Sequence, residues 1–212
     1  MTEHADSTAS SPTKWGDREQ RRADILAAGE SLLTNGGYHA LRMRDVATQA
    51  RISPGAIYTY YSNKESLFIA VFADRLQRML TALEPAVSNA SNPVEAFITT
   101  TNMYRDSYLT FGREFDALSL VADRQDVQPE VAAQLRDATA RIVTTLSATL
   151  EKFGYQGDTA QAMTFLWSTM TGLTNHYATE RQQFLTVTWD DAVRFASERL
   201  AQSLGLNSTG KF

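Results

Sequence analysis

The chain contains no cysteine among its 212 residues, and only 5 prolines and 11 glycines interrupt it. Without cysteine there can be no disulfide and no thiolate-bound metal ion. Apolar runs are also short, since none reaches the roughly 18 consecutive residues that a membrane-spanning helix needs. Residues 1–13 lack the apolar core of a secretory signal, so we expect a disordered N-terminal tail on a cytoplasmic chain.

Charge is distributed unevenly along the chain, although the formal net charge is only -4. Residues 14–64 hold eight basic and five acidic side chains, a balance of +3, which leaves -7 for the remainder. The net charge alone argues against a nucleic-acid partner. A basic N-terminal part on an acidic body is nevertheless typical of a DNA-reading head carried by a regulatory body. A segment of this charge also arises by chance, so charge alone decides nothing.

Helical periodicity covers nearly the whole chain, and no run of residues shows the alternation expected of a strand. The apolar stripes and the breaks between them predict an all-α fold of nine helices. These are expected over residues 17–35, two short segments within 44–61, then 63–85, 93–109, a short stretch around 115–121, 129–153, 158–177 and 189–204. We expect residues 14–64 to form one domain, residues 65–206 a second helical domain, and residues 207–212 a flexible C-terminus.

The most informative stretch is residues 44–65, which predicts a short helix, a tight turn, a second short helix and the capped start of a third. This spacing is that of a helix-turn-helix, the motif that places its second helix in the major groove of DNA. Ser53 is a favourable N-cap and Pro54 suits the first position of a helix. We therefore expect a recognition helix over residues 54–61, and we call these residues the recognition segment.

The two sides of the recognition segment carry different residues. Ile57 and Tyr61 lie four residues apart and form the side that packs on the core. The opposite side presents small and hydroxyl-bearing residues: Gly55, Ala56, Thr59 and Tyr60, with Tyr58 at its margin. Small residues let a helix sit deep in a groove, and tyrosine can donate to a phosphate or contact a thymine methyl. Burial of Tyr58 and Tyr60 is the alternative; we favour surface contact, because so short a helix cannot bury every side.

Two basic residues lie where the helix dipole disfavours a cation. Ser62 and Glu65 have the spacing of a capping box, which puts Lys64 in the first turn of the next helix at a cost of about 0.3–1 kcal/mol. A DNA phosphate at that helix end would explain Lys64, and a solvated lysine is the alternative. Arg44 begins the first short helix in the same way; it can reach a guanine edge or a phosphate, or pair with Asp45.

These residues together resemble the TetR family of bacterial transcriptional regulators. The similarity covers residues 18–70, and its most specific parts are Arg44-Asp45-Val46-Ala47, Ile52-Ser53-Pro54-Gly55, Tyr60-Tyr61 and Lys64-Glu65-x-Leu67. The resemblance implies a homodimer in which three N-terminal helices bind DNA, a fourth leads into a ligand-binding body, and the last two helices pair with the partner. An effector in the body would tilt the fourth helix and release the operator.

The resemblance also assigns roles to individual residues. It implies DNA contacts from Arg44, Gly55, Thr59 and Tyr60, and phosphate contacts from Tyr58 and Lys64. Two other positions depart from the family pattern. Arg51 stands where the family commonly has glycine, and a left-handed backbone there would strain it by about 1 kcal/mol. Met43 stands where the family commonly has a serine or threonine cap, so a weakly capped helix start is expected.

The body of the chain is less explicit. An apolar pocket with a few polar anchors needs aromatic and polar residues to interleave, and two of the predicted helices show this mixture. The candidate ligand-binding residues are Phe97, Tyr104, Tyr108, Trp167, Thr171, Asn175 and His176. The commoner role of Tyr104 and Trp167 is core packing, and that of His176 is a structural hydrogen bond. The aromatic residues favour a small hydrophobic or aromatic effector.

The last two predicted helices carry more apolar residues than one buried side requires, which suggests that a partner covers the surplus. The surplus residues are Phe165, Trp167, Trp189, Ala192 and Phe195. Gly172 would permit close approach of another helix. Burial within one chain is the alternative, and we expect a homodimer through these two helices.

The sequence thus predicts a ligand-responsive, homodimeric DNA-binding regulator, most simply a repressor that a small effector releases from a pseudo-palindromic operator in double-stranded DNA. A regulator without an effector, or an activator, is the alternative, because the sign of regulation depends on operator position. A helical enzyme is disfavoured, since there is no Glu-x-x-His pair, no glycine-rich phosphate loop and no nucleophile with a matched base. Three histidines and no cysteine leave little for a metal site, and no cofactor is expected.

Overall fold

The computed structural model describes residues 14–112 and 126–206, and seven α-helices account for most of them. The helices are α1 (Lys14–Ala40), α2 (Met43–Gln49), α3 (Lys64–Asn89), α4 (Pro93–Phe111), α5 (Pro129–Lys152), α6 (Thr159–Tyr177) and α7 (Trp189–Ser203). Two 3₁₀ turns lie between them, at Ala56–Thr59 and Glu180–Phe184. These ranges contain no strand, so the all-α prediction is confirmed. None of the helices described here combines the length and apolar composition that crossing a bilayer requires.

The prediction of nine α-helices is wrong for the described residues, where seven are found. The recognition segment accounts for one difference, because it folds as a 3₁₀ turn over Ala56–Thr59. Its hydrogen bonds include the tighter kind, from the Tyr60 N–H to the Ile57 carbonyl at 3.0 Å. Helices this short gain little from α-helical cooperativity, so tertiary packing selects the tighter turn. The helix expected near residues 115–121, the tail at 1–13 and the end at 207–212 lie outside the described residues.

One apolar layer joins the N-terminal elements to α3. We call α1, α2 and the recognition segment the head, and α4 to α7 the body. The head contributes side chains that are at most 1% exposed: Ile25, Leu33, Leu41, Val46, Ile57 and Tyr61. They belong to one apolar cluster with the first turns of α3, where Leu67, Phe68, Val71 and Phe72 are buried. Each buried side chain of this size contributes about 1.5–3 kcal/mol, so the head and α3 stabilise each other.

Helix α3 begins one residue later than a cap at Ser62 would require. Its N-cap is Asn63, whose side-chain oxygen accepts a hydrogen bond from the Ser66 N–H at 2.8 Å. Glu65 accepts from the Tyr38 hydroxyl at 3.3 Å, and the Ser62 N–H donates to Gln128. The predicted capping box is therefore wrong, because tertiary contacts occupy both of its members and asparagine is an equally good cap.

Helix α3 also continues past Pro85, where the sequence predicted its end. A proline inside a helix removes one hydrogen bond and costs about 3 kcal/mol. The last turn is stabilised from outside, because the Lys152 ammonium of α5 donates to three carbonyl oxygens, those of Val87, Ser88 and Ala90. A cation at this end also interacts favourably with the helix dipole. This contact offsets part of the cost of Pro85.

Helix α1 lies directly against α3 at Gly29. A Cβ atom added to Gly29 would lie 2.7 Å from Cγ2 of Val71, which is closer than two carbon atoms can pack. We expect Gly29→Ala to lower the free energy of unfolding by about 1–3 kcal/mol, measured by urea denaturation. Combining it with Val71→Ala should cost less than the two single variants together, because the clashing methyl is gone. Additive costs would contradict the packing at this position.

Candidate DNA-binding surface and body site

The recognition segment lies on the surface with one side buried. Ile57 is fully buried and Tyr61 is 1% exposed, whereas Tyr58 is 54% exposed. Gly55 and Thr59 are exposed as well. The prediction that Ile57 and Tyr61 hold the segment in the core is confirmed. Burial raises the pKa of the Tyr61 hydroxyl against the opposite effect of nearby Arg22, so the phenol stays neutral in its buried position.

Tyr60 differs from its neighbours in the segment. It is partly buried, packs against the apolar core and lines a cavity of about 380 Å³ between the head and the start of α5. The cavity also contains the side chains of Arg18 and Arg22 from α1. Only part of the Tyr60 ring therefore faces outward, and Tyr58 and Thr59 present more surface to a partner.

Helix α2 carries Arg44 at its exposed N-terminal end. The helix is anchored by Val46 and Ala47, both fully buried, and it contacts the 3₁₀ turn of the recognition segment. Its N-cap is Arg42, which makes no side-chain capping hydrogen bond. The expectation of a weak cap is confirmed, although Met43 is a buried core residue rather than the cap itself.

The turn between α2 and the recognition segment contains Arg51 with φ of 58°. This is the only positive φ at a non-glycine residue in the part of the chain that the structure describes, so the left-handed backbone that would strain Arg51 is present. Two hydrogen bonds close the turn, from the Arg51 N–H to the Thr48 carbonyl at 3.1 Å and from the Ile52 N–H to the Ala47 carbonyl at 3.0 Å. The surrounding structure thus fixes a backbone conformation that costs arginine about 1–2 kcal/mol.

Replacing Arg51 with glycine should relieve this strain. We expect Arg51→Gly to raise the free energy of unfolding by about 1 kcal/mol and the melting temperature by about 2–4 °C in calorimetry. Arg51→Ala is the matched control, because it removes the same charge and keeps the strained Cβ. A gain in stability from alanine equal to that from glycine would show that charge, rather than backbone strain, limits stability here.

Two further residues of the motif make local contacts. The Ser53 hydroxyl oxygen accepts a hydrogen bond from the Ala56 N–H at 3.2 Å, but the predicted N-cap is wrong, because the 3₁₀ turn begins at Ala56 and its N-cap is Gly55. Lys64 lies in the first turn of α3, with its ammonium 3.8 Å from the centre of the Tyr38 ring. A cation–π contact at a partly exposed site contributes about 0.5–1 kcal/mol, which offsets the dipole penalty without DNA. No pattern in the sequence pointed to Tyr38, which precedes Lys64 by 26 positions.

Five of the seven candidate pocket residues of the body meet where α4 packs against α6. The Tyr104 hydroxyl lies 2.9 Å from the Thr171 hydroxyl, and one helical turn away Asn175 donates to the Tyr108 hydroxyl at 3.0 Å. We call these four residues the α4–α6 seam. Trp167 packs edge-on against Tyr104, with ring centres 5.9 Å apart. Each buried hydrogen bond contributes about 0.5–1.5 kcal/mol, so a ligand that entered the seam would have to replace these interactions.

Two other candidate pocket residues occupy different environments. Phe97 is 3% exposed and belongs to the apolar core, whereas His176 is exposed on α6. The structure therefore brings together five of the seven residues that the sequence suggested. Their role in binding a ligand stays a prediction.

Helices α6 and α7 expose large apolar side chains: Phe165 at 47%, Trp167 at 36% and Phe195 at 61%. Phe165 lines a shallow, mostly apolar groove of about 520 Å³ on α6 with Ala160 and Thr164. Trp189 behaves differently, because its ring packs against Tyr177 and its Nε1 donates to the Asn102 side-chain oxygen at 2.8 Å. The prediction that Trp189 is part of the surplus for a partner is therefore wrong, since its own chain buries it.

Residues 25–71 match the family model described as bacterial regulatory proteins, tetR family. The transcriptional activator FasR of Mycolicibacterium smegmatis is 24% identical over 123 residues, which are 58% of this chain and 55% of that protein. The transcriptional repressor KstR of Rhodococcus jostii is 31% identical over 96 residues, or 44% and 45% of the two chains. The chain thus spans about half the length of the curated relatives it matches.

A solved structure extends the likeness to the whole fold. The transcriptional regulator FadR of Bacillus subtilis, solved in complex with stearoyl-CoA, superposes with a TM-score of 0.59 at 16% identity, covering 86% of this chain and 97% of that one. The described residues thus share an all-helical fold with that protein, and their N-terminal part has the layout of a helix-turn-helix. More narrowly, residues 25–71 resemble the N-terminal domain of the tetR family of bacterial regulatory proteins.

Proposed function

We propose that the chain is a homodimeric transcriptional regulator that reads operator DNA with its recognition segment. The observation that carries this proposal is the division of the segment into a buried side, Ile57 and Tyr61, and an exposed side, Tyr58 and Thr59. Because the buried side of the segment is anchored in the core, the exposed side is held in a fixed orientation, as recognition of base edges requires. Exposed Arg44 on the adjoining helix adds a side chain that can bind guanine with two hydrogen bonds.

The individual contacts follow from exposure and chemistry. Arg44 and Thr59 contact base edges, and Tyr58 and Lys64 donate to phosphates. Gly55 lets the backbone approach the DNA closely, because it has no side chain and the space around it is open: a Cβ there would meet no atom beyond the adjacent residues within 4 Å. Tyr60 contacts the DNA with the part of its ring that faces outward.

Selection from a randomised pool of DNA duplexes tests this function. We expect the protein to enrich an inverted repeat whose half-sites are about 34–36 Å apart, or a multiple of that distance. No enrichment would contradict sequence-specific reading, and an enriched sequence without two-fold symmetry would contradict reading by a dimer. A binding partner of this kind also implies a cytoplasmic location.

We infer that a small hydrophobic effector acts through the body, most simply by releasing a repressor. The α4–α6 seam supports this inference, because it combines aromatic surface with hydroxyl and amide groups that can anchor a ligand. Long-chain acyl-CoA is the first class to test, since the FadR structure of similar fold holds stearoyl-CoA. An activator, or a regulator without an effector, is the alternative.

Stearoyl-CoA at about 100 times its dissociation constant should stabilise the protein by about 2.7 kcal/mol and raise its melting temperature by roughly 5–10 °C. Coenzyme A alone is the control, because it lacks the acyl chain. Release of a selected duplex by stearoyl-CoA would indicate a repressor, and tighter DNA binding would indicate control of the opposite sign. A melting temperature unchanged by either compound would contradict an acyl-CoA effector.

A homodimer through α6 and α7 completes the proposal. Phe165, Trp167 and Phe195 expose apolar area that a partner helix pair would bury. A Cβ at Gly172 would have no other atom within 4 Å, so another helix could approach α6 there. Apolar residues of this size dominate the buried centre of stable interfaces.

A further inference from the structure

The start of α5 holds the head at a second place, separate from the covalent connection through α3. The Gln128 side-chain oxygen accepts a hydrogen bond from the Ser62 N–H at 3.1 Å, and its amide nitrogen donates to the Tyr60 carbonyl at 3.4 Å. The Gln128 backbone N–H donates to the Ser66 hydroxyl at 3.0 Å. We call this set of contacts the Gln128 clamp. The contacts join residues that are separated by 62 to 68 positions in the sequence. The start of α5 therefore reaches across the end of the recognition segment.

A neighbouring contact strengthens the same junction. The side-chain amide of Asn63 donates to the Asp126 carbonyl at 2.6 Å, while its oxygen caps α3. Asn63 thus ties the start of α3 to the residues that lead into α5. Ser66, the third partner of the clamp, is fully buried, so its hydroxyl is held in one place.

A second glutamine, which lies within α5, holds the other side of the head; Gln128 itself is the N-cap of this helix. The Gln134 side-chain oxygen accepts from the Arg22 guanidinium of α1 at 2.9 Å. The same guanidinium carbon lies 6.0 Å from the centre of the Tyr61 ring, beneath the recognition segment. The first two turns of α5 therefore contact the segment directly through Gln128 and indirectly through Arg22.

The chemistry of the clamp depends on a carboxamide. The Tyr60 carbonyl is partly buried and the Ser62 N–H lies at an exposed position, and the Gln128 side chain supplies a hydrogen-bond partner for each of them. Only a side chain that both donates and accepts can satisfy the two together. Without Gln128, water would replace it and the end of the recognition segment would be free to move relative to the body.

We propose that Gln128 is a positioning residue that fixes the end of the recognition segment relative to the body, so that a displacement of the start of α5 changes the orientation of Tyr60 without bending α3. The proposal rests on the proposed function, since DNA reading is what the positioning serves. Gln128 itself contacts no DNA.

Hydrogen exchange and DNA affinity of the full-length Gln128→Met protein test this role. Methionine has a similar length and makes neither side-chain hydrogen bond. Without DNA, we expect amides of residues 57–66 to exchange about tenfold faster, while amides of α7 exchange at the wild-type rate. Affinity for a duplex selected with the wild-type protein should fall about 5–10-fold, because the loosened segment must be ordered on binding. Gln77→Met, at an exposed position of α3, should change neither quantity.

The Gln128→Glu variant distinguishes the effects of the two side-chain hydrogen bonds of Gln128. Its carboxylate can still accept from the Ser62 N–H, whereas it cannot donate to the Tyr60 carbonyl, so we expect exchange and affinity between those of wild type and Gln128→Met. Exchange at residues 57–66 unchanged in Gln128→Met would overturn the proposal. Faster exchange throughout the molecule would also overturn it, because Gln128 would then be a purely structural residue. Faster exchange at residues 57–66 with unchanged DNA affinity would overturn it as well. If the wild-type protein selects no duplex, faster local exchange still supports the positioning contact and only the DNA function fails.

Discussion

Replacing Arg44 and Tyr58 together with alanine is expected to lower operator affinity at least about 100-fold while leaving the fold intact. One bidentate contact between arginine and guanine is worth about 1–3 kcal/mol, and a dimer loses each contact twice. Both side chains are exposed, Tyr58 at 54%, so their removal should change stability by no more than about 0.5 kcal/mol. Fluorescence anisotropy with the selected duplex measures the effect, at one fixed salt concentration because phosphate contacts depend on salt.

The single variants separate base reading from phosphate contact. Arg44→Ala should relax sequence preference, whereas Tyr58→Phe should weaken binding to all duplexes alike, because only a phosphate contact is lost. Arg136→Ala is the matched control, since it removes one exposed positive charge from α5 in the body. Full affinity in the double variant, or an equal loss in the control, would show that another surface binds DNA.

Replacing Phe165 with glutamate is expected to convert the proposed dimer into monomers. Phe165 is 47% exposed and lines the apolar groove of α6, where a partner would have to bury two uncompensated carboxylates. We expect the dimer dissociation constant to rise at least about 100-fold. Operator affinity should fall with it, because two half-sites bind tightly only when they are joined. Sedimentation velocity over a concentration series measures the first effect.

Phe184→Glu provides the comparison for the dimer experiment. Phe184 is 79% exposed in the 3₁₀ turn before α7, so the same substitution there adds the same charge without entering the proposed interface. We expect this variant to remain a dimer. A dimeric Phe165→Glu protein, or a monomeric Phe184→Glu protein, would place the interface elsewhere.

The sequence was sufficient for those parts of the fold that depend on local patterns. Helices α4, α6 and α7 begin at residues with capping side chains, Asn92, Asp158 and Thr188, each of which accepts a backbone hydrogen bond in the structure. The buried side of the recognition segment was also predictable, because Ile57 and Tyr61 are four residues apart. The strain at Arg51 followed from the resemblance, because the family commonly has glycine at this position.

The remaining features depend on residues that are distant in the sequence. Ser62 and Asn63 are equally suitable caps; in the structure the Asn63 side chain caps α3, while the Ser62 N–H donates to the distant Gln128. The cation–π contact of Lys64 with Tyr38 and the burial of Trp189 against Tyr177 likewise arise from helix packing. A periodicity argument assigns each residue to a side of its helix but does not identify the partner on that side.

The candidate pocket also shows what a periodicity argument cannot predict, because such an argument does not identify the partners of its polar groups. Interleaved aromatic and polar residues predicted that α4 and α6 would carry the polar groups of the body, and the seam between Tyr104, Tyr108, Thr171 and Asn175 places them together. The sequence did not indicate that these groups would satisfy one another. Their mutual hydrogen bonds mean that an effector must compete with existing contacts rather than fill vacant ones.

Site-directed DNA cleavage tests the central claim, that the recognition segment enters the operator. The chain has no cysteine, so Thr59→Cys introduces a unique attachment point for an iron chelate that cleaves nearby DNA. Thr144→Cys, at an exposed position of α5, is the control. The account predicts cleavage from position 59 at two places related by the symmetry of the selected duplex, and no specific cleavage from position 144. Cleavage from position 144 but not from position 59 would contradict it.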